Sequence, residues 1–194
     1  MDVGLLIVRL VFGLLLAGHG LQKLFGWFGG SGMRGTAMFF ESLGFHQGRL
    51  FVVLTVLAEC GGGILLALGL LQPFATAPIL SVMIVAIATV HWGQGLLAPN
   101  GIELPLLYLT AALSLALTGP GAHSLDALLG LTPRWTAQIT AIALAMGVLA
   151  ALVSLGLRRT GLPSRTRRCS EQHRSIAASG SEPSPLCRES GCMR

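Results

Sequence analysis

Six ionisable side chains occur inside or at the ends of long apolar stretches in this 194-residue sequence. They are Arg9, His19, Lys23, Glu59, His91 and Glu103. A charge in the hydrocarbon of a membrane costs roughly 2.5–3.5 kcal/mol on insertion scales, so such groups normally face the interior of a helix bundle and find partners there. Carboxylates, imidazoles and amines can exchange protons with one another and with a ligand. We therefore predict a proton-exchanging site built from these residues.

The first apolar stretch carries three of these groups on one helical face. His19 and Lys23 are one helical turn apart, about 40° around the axis. Arg9 precedes Lys23 by fourteen residues, which returns it to within about 40° of the same face. Gly13 and Gly20 lie beside this stripe and permit the close approach of another helix. We expect the stripe to face the bundle interior.

The depth of each ionisable group in the membrane predicts which of these groups lie close together. We expect the long side chain of Arg9 to reach toward Glu59 in the middle of the bundle. His91 and Glu103 flank a short connection and are placed with Lys23 at one rim. The Arg9–Glu59 pair can also be purely structural, and Lys23 can instead extend to the lipid headgroups.

The other three members have structural alternatives of the same kind. His19 and His91 can be interhelical hydrogen-bonding residues, and Glu103 can be an acid favoured by the start of its helix. Two histidines at similar depth on different helices could also ligate a haem as a bis-histidine pair. This signal is weak, so haem is not expected. A small-solute or proton transporter is a further alternative, without a broken-helix repeat to support it.

The elements that position these residues are membrane-spanning helices. The sequence is 53% hydrophobic and only 11% charged, whereas soluble domains are about a quarter charged. This excludes a soluble enzyme, a disordered chain and a basic nucleic-acid-binding domain. A span needs roughly 20 apolar residues, and five segments come close: about 4–24, 51–71, 75–95, 102–119 and 136–157. We predict an all-α polytopic membrane bundle.

The predicted organisation has three parts. Residues 1–130 form a four-helix membrane domain, residues 131–157 add a fifth transmembrane helix, and residues 158–194 form a disordered basic tail. Span five has no ionisable group, so we place the working unit in the first four spans. Ala143, Gly147 and Ala151 give span five a small-residue face for docking. Between spans one and two, a short interfacial helix is predicted within Met33–Leu50, with Ala37, Phe40 and Leu43 on its apolar face.

Orientation follows from the arginines and lysines. Residues 158–194 hold eight arginines and three acids, whereas bases and acids balance in residues 1–157. Five spans put the tail and the basic first loop on the same side, which the positive-inside rule assigns to the cytoplasm. We therefore expect a multi-pass protein of the bacterial cytoplasmic membrane, with its N-terminus outside and its C-terminus cytoplasmic. Its surroundings are the lipid bilayer, and no nucleic acid is expected as a partner.

The four cysteines predict neither a metal centre nor a dithiol. Cys60 lies within span two beside Gly61, and the other three are in the tail. None forms a C-x-x-C pair, and the tail spacing is poor for zinc. Cys60 is interpreted as a small packing residue. We expect no metal site, and electrons for any redox reaction would come from a partner because no flavin or iron–sulfur motif is present.

Several sequence blocks together resemble the DoxX family. They are AGHGLQKLFGWFGG at 17–30, GTAMFFESLG at 35–44, AECGGG at 58–63, VHWG at 90–93, ELP at 103–105 and LTGPGAHSLD at 117–126. The resemblance covers about residues 4–130, so span five and the tail lie beyond the usual four-helix pattern. The family pattern marks the same six positions: Arg9, His19, Lys23, Glu59, His91 and Glu103.

The resemblance implies membrane architecture and a link to redox chemistry. DoxX-like proteins are four-helix proteins of bacterial and archaeal cytoplasmic membranes, named after a subunit of a terminal quinol oxidase. A related branch belongs to thiosulfate:quinone oxidoreductase, and a mycobacterial relative is associated with superoxide dismutase and a sulfurtransferase. The implied function is a membrane subunit of a quinone-linked or thiol/oxidative-stress oxidoreductase complex. Its partner would be a soluble or membrane oxidoreductase, and a bound quinone is the expected cofactor.

A non-catalytic role is the main alternative. In that interpretation the chain is a membrane anchor or assembly factor, and the polar cluster is structural. The basic tail and the amphipathic first loop would then dock a soluble enzyme.

Overall fold

The computed structural model describes residues 2–97 and 101–158. Within these ranges the chain is helical and has no strand, which confirms the all-α prediction. The predicted disordered tail lies outside the described residues, except for Arg158.

In the described part of the chain, six main helices form the bundle, beside a one-turn helix at Leu125–Leu128. They are α1 (Asp2–Phe25), α2 (Gly32–Ser42), α3 (Gly48–Leu68), α4 (Gln72–His91), α5 (Glu103–Thr118) and α6 (Ala137–Gly156). Four of them, α1, α3, α4 and α6, are long and apolar enough to cross a bilayer, and α5 is a shorter apolar helix of 16 residues. Large hydrophobic side chains cover much of their outward surface. Because such a surface requires a lipid environment, the chain is a helical membrane protein.

The turn between α3 and α4 lies three residues earlier than predicted. Gly69 adopts a left-handed conformation with φ +64° and ends α3. The amides of Gly69 and Leu70 donate to the carbonyls of Leu66 and Leu65, the bonding of a Schellman cap. Pro73 then lies within the first turn of α4. Proline is accepted there because the amide it lacks would have no helical partner.

The short helix predicted between the first two spans is α2. Ala37 on its inner face is buried against Val52 and Val56 of α3, with Phe40 packed beside them. The helix ends at Ser42, because Leu43 is its cap and Gly44 has φ +98°. The predicted apolar face is confirmed at Ala37 and Phe40, whereas Leu43 lies beyond the last helical residue.

Glycines bring α1 and α3 into close contact, as predicted. A Cβ added at Gly13 would collide with the carbonyl of Gly63, and one at Gly63 would collide with the carbonyl of Gly13. Gly20 lies in the same way against Cys60, whose thiol donates to the carbonyl of Ala17 at 3.4 Å. Close backbone approach of this kind supplies much of the packing between helices in a membrane.

The fifth apolar helix, α6, docks on α4 through the predicted small-residue face. Ala143, Gly147 and Ala151 are all buried, and Gly147 lies against the backbone of Ala77. A larger residue at Gly147 would separate the two helices. The predicted docking face is confirmed.

Candidate functional site

The six predicted site residues do not form one cluster. The guanidinium of Arg9 lies beside Gly69, at the C-terminal end of α3. Lys23 lies fourteen residues further along α1, a rise of about 21 Å, near the end where α3 begins. The structure therefore separates Arg9 from Lys23, Glu59 and His91.

The predicted contact between Arg9 and Glu59 is wrong. The Arg9 guanidinium donates instead to the carbonyls of Pro120, at 2.6 Å, and His123, at 2.5 Å. These carbonyls belong to the segment that follows α5, where free peptide groups at a helix end need donors. Arg9 is almost wholly buried, with 1% of its surface exposed. It ties α1 to this segment.

Lys23 takes the place that the sequence assigned to Arg9. Its ammonium group forms an ion pair with Oε1 of Glu59, joining α1 to α3. The alternative in which Lys23 extends to the headgroups is wrong, because the side chain turns inward. The Lys23 side chain remains 31% exposed and that of Glu59 only 3%. The pair therefore connects a buried carboxylate to the more open end of α1.

Half of the Glu59 carboxylate has no partner. Its second oxygen, Oε2, is buried and makes no hydrogen bond. An unsatisfied buried polar group costs about 1–3 kcal/mol, and more when it is charged. Native structures contain few such groups, and each calls for an explanation, such as a ligand or a catalytic role. Glu59 Oε2 is the first indication of a binding site.

Two π-helical turns mark the same region. Glu59 lies in the π turn Leu57–Gly61 of α3, and His91 ends the π turn Ile87–His91 of α4. A π turn inserts one extra residue into a helix and occurs frequently at functional sites. Sequence reasoning missed both turns, because their residues have ordinary helix-forming types.

A cavity of about 510 Å³ lies beside the ion pair. Its volume falls within the range of about 300–1,000 Å³ that is typical of small-molecule sites. Its walls come from α2, α3, α4 and α6, with Lys23 from α1. Most of its lining is apolar, and the polar groups include the hydroxyls of Thr55, Ser81 and Thr89. Glu59 and His91 also line it. We call Lys23, Glu59, His91 and this cavity the cavity site.

His19 and Glu103 lie outside the lining of the cavity. His19 is held by Gln22, with 3.0 Å between Nδ1 and Oε1, and its ring packs edge-on against Tyr108 at 5.7 Å. Glu103 is the first residue of α5, and its Oε2 is buried without a hydrogen-bond partner. The structure thus brings three of the six predicted residues to one cavity.

The comparisons with known proteins cover this same part of the chain. The family model named DoxX matches residues 4–92. A curated relative from Bacillus subtilis (strain 168), named "Putative oxidoreductase CatD", is 32% identical over 127 residues, which cover 64% of this chain and 86% of the relative. The chain belongs to the DoxX family. No solved structure matches it.

The DoxX match contains the three ionisable residues of the cavity site. Lys23, Glu59 and His91 all lie within residues 4–92. The cavity is completed by Met146, Gly147, Ala150 and Ser154 of α6, beyond the matched residues. The fifth apolar helix, which we predicted to lie outside the working unit, thus forms one wall of this cavity. An apolar helix without ionisable groups gave no signal of this role.

Sequence reasoning also missed a second polar centre in this DoxX-family bundle. Asp126 is fully buried and accepts three hydrogen bonds, from the amides of Leu71 and Gln72 and from Nε1 of Trp135, at 2.9–3.0 Å. It lies in the same region as Arg9, because its own amide donates to the carbonyl of Gly69. We call Arg9, Asp126 and these partners the Arg9–Asp126 clasp. The block at 117–126 pointed to this segment, without indicating a role for its carboxylate.

Proposed function

We propose that this chain is a membrane subunit of an oxidoreductase complex and binds a quinone in the cavity site. The observation that carries the proposal is the unpartnered Oε2 of Glu59, which belongs to a residue lining an apolar cavity of suitable size. The DoxX match and the relative's printed name support a link to oxidoreductase chemistry.

The residues present fit such a ligand. A quinone, when bound, supplies a ring that takes up two electrons and two protons. Glu59 Oε2 can hold the proton that the ring oxygen requires, and can donate it as a hydrogen bond in the protonated form. The surrounding apolar walls exclude water, which strengthens this interaction. In this proposal Glu59 both positions the ring and exchanges the proton.

Lys23 and His91 assist the proton exchange. Lys23 stabilises the charge on Glu59 after its proton has left, through the ion pair at Oε1. Because the Lys23 side chain is partly exposed, it also offers a route for protons toward the end of the bundle. His91 ends α4 and lines the cavity, so it is placed to pass protons between the cavity and the surface.

Electrons are proposed to come from a partner oxidoreductase, and the partner is proposed to lie on the cytoplasmic side. The orientation is supported by Arg158, whose Nε donates to the carbonyl of Leu43 at 2.6 Å. The start of the basic tail is therefore beside the loop that follows α2. The positive-inside rule assigns both to the cytoplasm and leaves the N-terminus outside.

The test compares quinone bound to purified wild-type protein and to Glu59→Gln. The full chain is isolated from its native membrane in mild detergent, and the extracted quinone and haem are quantified by mass spectrometry and optical spectrum. We expect near-stoichiometric quinone in the wild type and about tenfold less in Glu59→Gln, the loss of one charged hydrogen bond. Glu41→Gln, an exposed acid on α2, is the matched control and should retain quinone.

The opposite results would redirect the proposal. Equal quinone in wild type and Glu59→Gln would remove Glu59 from the site. Folded wild-type protein without quinone would favour the anchor function, in which the chain holds a soluble partner at the membrane.

A further inference from the structure

The cavity opens on the side of the bundle. Leu54 of α3 and Met146 of α6 both line it, yet their side chains are 50% and 61% exposed at the protein surface. Ala150, one turn from Met146, also lines the cavity and is exposed. Residues that belong both to the wall of a cavity and to the outer surface mark the edge of an opening.

The opening lies at the depth of the lipid chains. Leu54 is six residues from the start of α3, and Ala150 is six residues from the end of α6. Both positions are therefore about 9 Å along their helices from the same end of the bundle. Since these helices extend for about 30 Å, the opening faces hydrocarbon and not the aqueous rim.

Helix packing explains why the opening exists. The buried face of α6, with Ala143, Gly147 and Ala151, is directed at α4. The glycine face of α3 is directed at α1 and at Ile79 of α4. The two helices flank α4, and the cavity lies between them with α4 as its back wall. Further lining comes from α2 and Lys23, and the exposed Leu54, Met146 and Ala150 mark the edge between α3 and α6 as the open one.

The volume of the cavity bears on what it can hold. At about 510 Å³, it has the size of a site for a drug-sized molecule. It has room for a quinone ring and the beginning of an isoprenoid tail, but not for the whole of a long tail. The remainder must leave the protein, and the apolar edges at Leu54 and Met146 suit a hydrocarbon chain.

We propose that the cavity exchanges its ligand directly with the bilayer through the opening between α3 and α6. The ligand is a quinone with a long isoprenoid tail, whose ring lies by Glu59 and whose tail passes Leu54 and Ala150 into the lipid. This inference rests on the proposed quinone function and adds the route of entry and the class of quinone. It also gives a purpose to the fifth helix, which lies beyond the DoxX match.

The test places a large side chain in the opening. Ala150→Trp should narrow it, whereas Ala145→Trp, exposed on the same helix but outside the cavity lining, is the matched control. Each full-length variant is reconstituted in vesicles containing a long-tailed menaquinone, re-extracted in detergent, and its retained quinone measured. Binding of menadione, which has no tail, is measured on the same samples by calorimetry.

We expect the wild type and Ala145→Trp to retain the long-tailed quinone and Ala150→Trp to retain about tenfold less, while all three bind menadione alike. Leu54→Trp, on the opposite edge, should reproduce the effect and guards against a folding defect in one variant. The inference would be overturned if Ala150→Trp and Leu54→Trp both retained as much menaquinone as the wild type. So would the loss of menadione from Ala150→Trp, since the position would then belong to the ring site.

Two further outcomes separate this inference from the proposed function. Wild-type protein that binds menadione but retains no menaquinone from the vesicles would overturn the lateral route and leave the quinone function standing. Wild-type protein that binds neither quinone would overturn the proposed function itself, and the inference with it.

Discussion

The Arg9–Asp126 clasp and the cavity site both place ionisable groups inside the bundle, but they differ in how many hydrogen bonds those groups form. In the clasp, Arg9 donates to two carbonyls and Asp126 accepts from three donors. The clasp therefore joins four segments: α1, which carries Arg9; the turn between α3 and α4 with the first residue of α4; the segment after α5; and Trp135 before α6. At the cavity site one ion pair joins two helices, and one carboxylate oxygen is left without a partner.

The difference separates stability from binding. The clasp pairs both carboxylate oxygens of Asp126 and two of the Arg9 nitrogens, although Arg9 Nε has no partner, and such a network holds helix ends and loops in one arrangement. A buried carboxylate with one unpartnered oxygen next to an open cavity can form its missing hydrogen bond with a ligand. The three predictions below test this division, in order of decreasing effect on folding.

Asp126→Ala should have the largest effect on stability. It removes the acceptor of two backbone amides and of Trp135 Nε1, all of which are left without that partner. The expected loss is about 3–5 kcal/mol of unfolding free energy. Denaturant unfolding in detergent, followed by tryptophan fluorescence, measures it. Asp126→Asn, which keeps an acceptor oxygen, should lose less, and equal stability of Asp126→Ala and wild type would contradict the structural role of the clasp.

Gly147→Leu should have an intermediate effect on stability and should also change the cavity site. The new side chain would collide with the backbone of Ala77, and overpacking of this kind costs about 1–3 kcal/mol. Because α6 forms one wall of the cavity, quinone retention should fall as well. Gly156→Leu is the matched control, since a Cβ at Gly156 meets nothing within 4 Å. Unchanged stability and unchanged quinone content in Gly147→Leu would argue against α6 as a wall.

Glu59→Gln should have the smallest effect on stability, below about 1 kcal/mol. The partly exposed Lys23 can turn toward water after the pair is lost, and the amide is nearly the same size as the carboxylate. Thermal unfolding in detergent should give similar midpoints for wild type and Glu59→Gln, in samples whose quinone has first been extracted. A loss comparable to that of Asp126→Ala would mean that the two centres are both structural, and the contrast between them would fail.

The fold was predictable from the sequence because hydropathy alone reports the apolar helices. The error in the turn between α3 and α4 has a local cause: the predicted spans 51–71 and 75–95 leave Pro73 between them, although proline is compatible with the first turn of a helix. The actual break depends on the left-handed Gly69. Glycines are so frequent in this chain that the one which ends a helix does not stand out.

The site was predictable only in part. Lys23, Glu59 and His91 could be chosen because charged groups are rare in apolar segments. The partner of Arg9 could not, since it consists of main-chain carbonyls at Pro120 and His123 that no side-chain pattern reports. The cavity was also out of reach, because it depends on how far apart α3 and α6 are held by their packing on α4.

The π turn at Leu57–Gly61 changes which residues of α3 face the same side of the helix. An extra residue rotates every later residue by about 100° around the helix axis. The two halves of α3 therefore need two separate helical wheels. Before the turn, Val52 and Val56 face the core, and after it Gly63 and Ala67 do. A single wheel at 100° per residue would place all four on one face, whereas Val52 and Val56 pack with Ala37 of α2 and Gly63 and Ala67 lie against Gly13 of α1. Deleting one residue from the turn would merge the two phases and rotate Gly63 away from Gly13, so this irregularity allows one helix both to present Glu59 and to dock on α1.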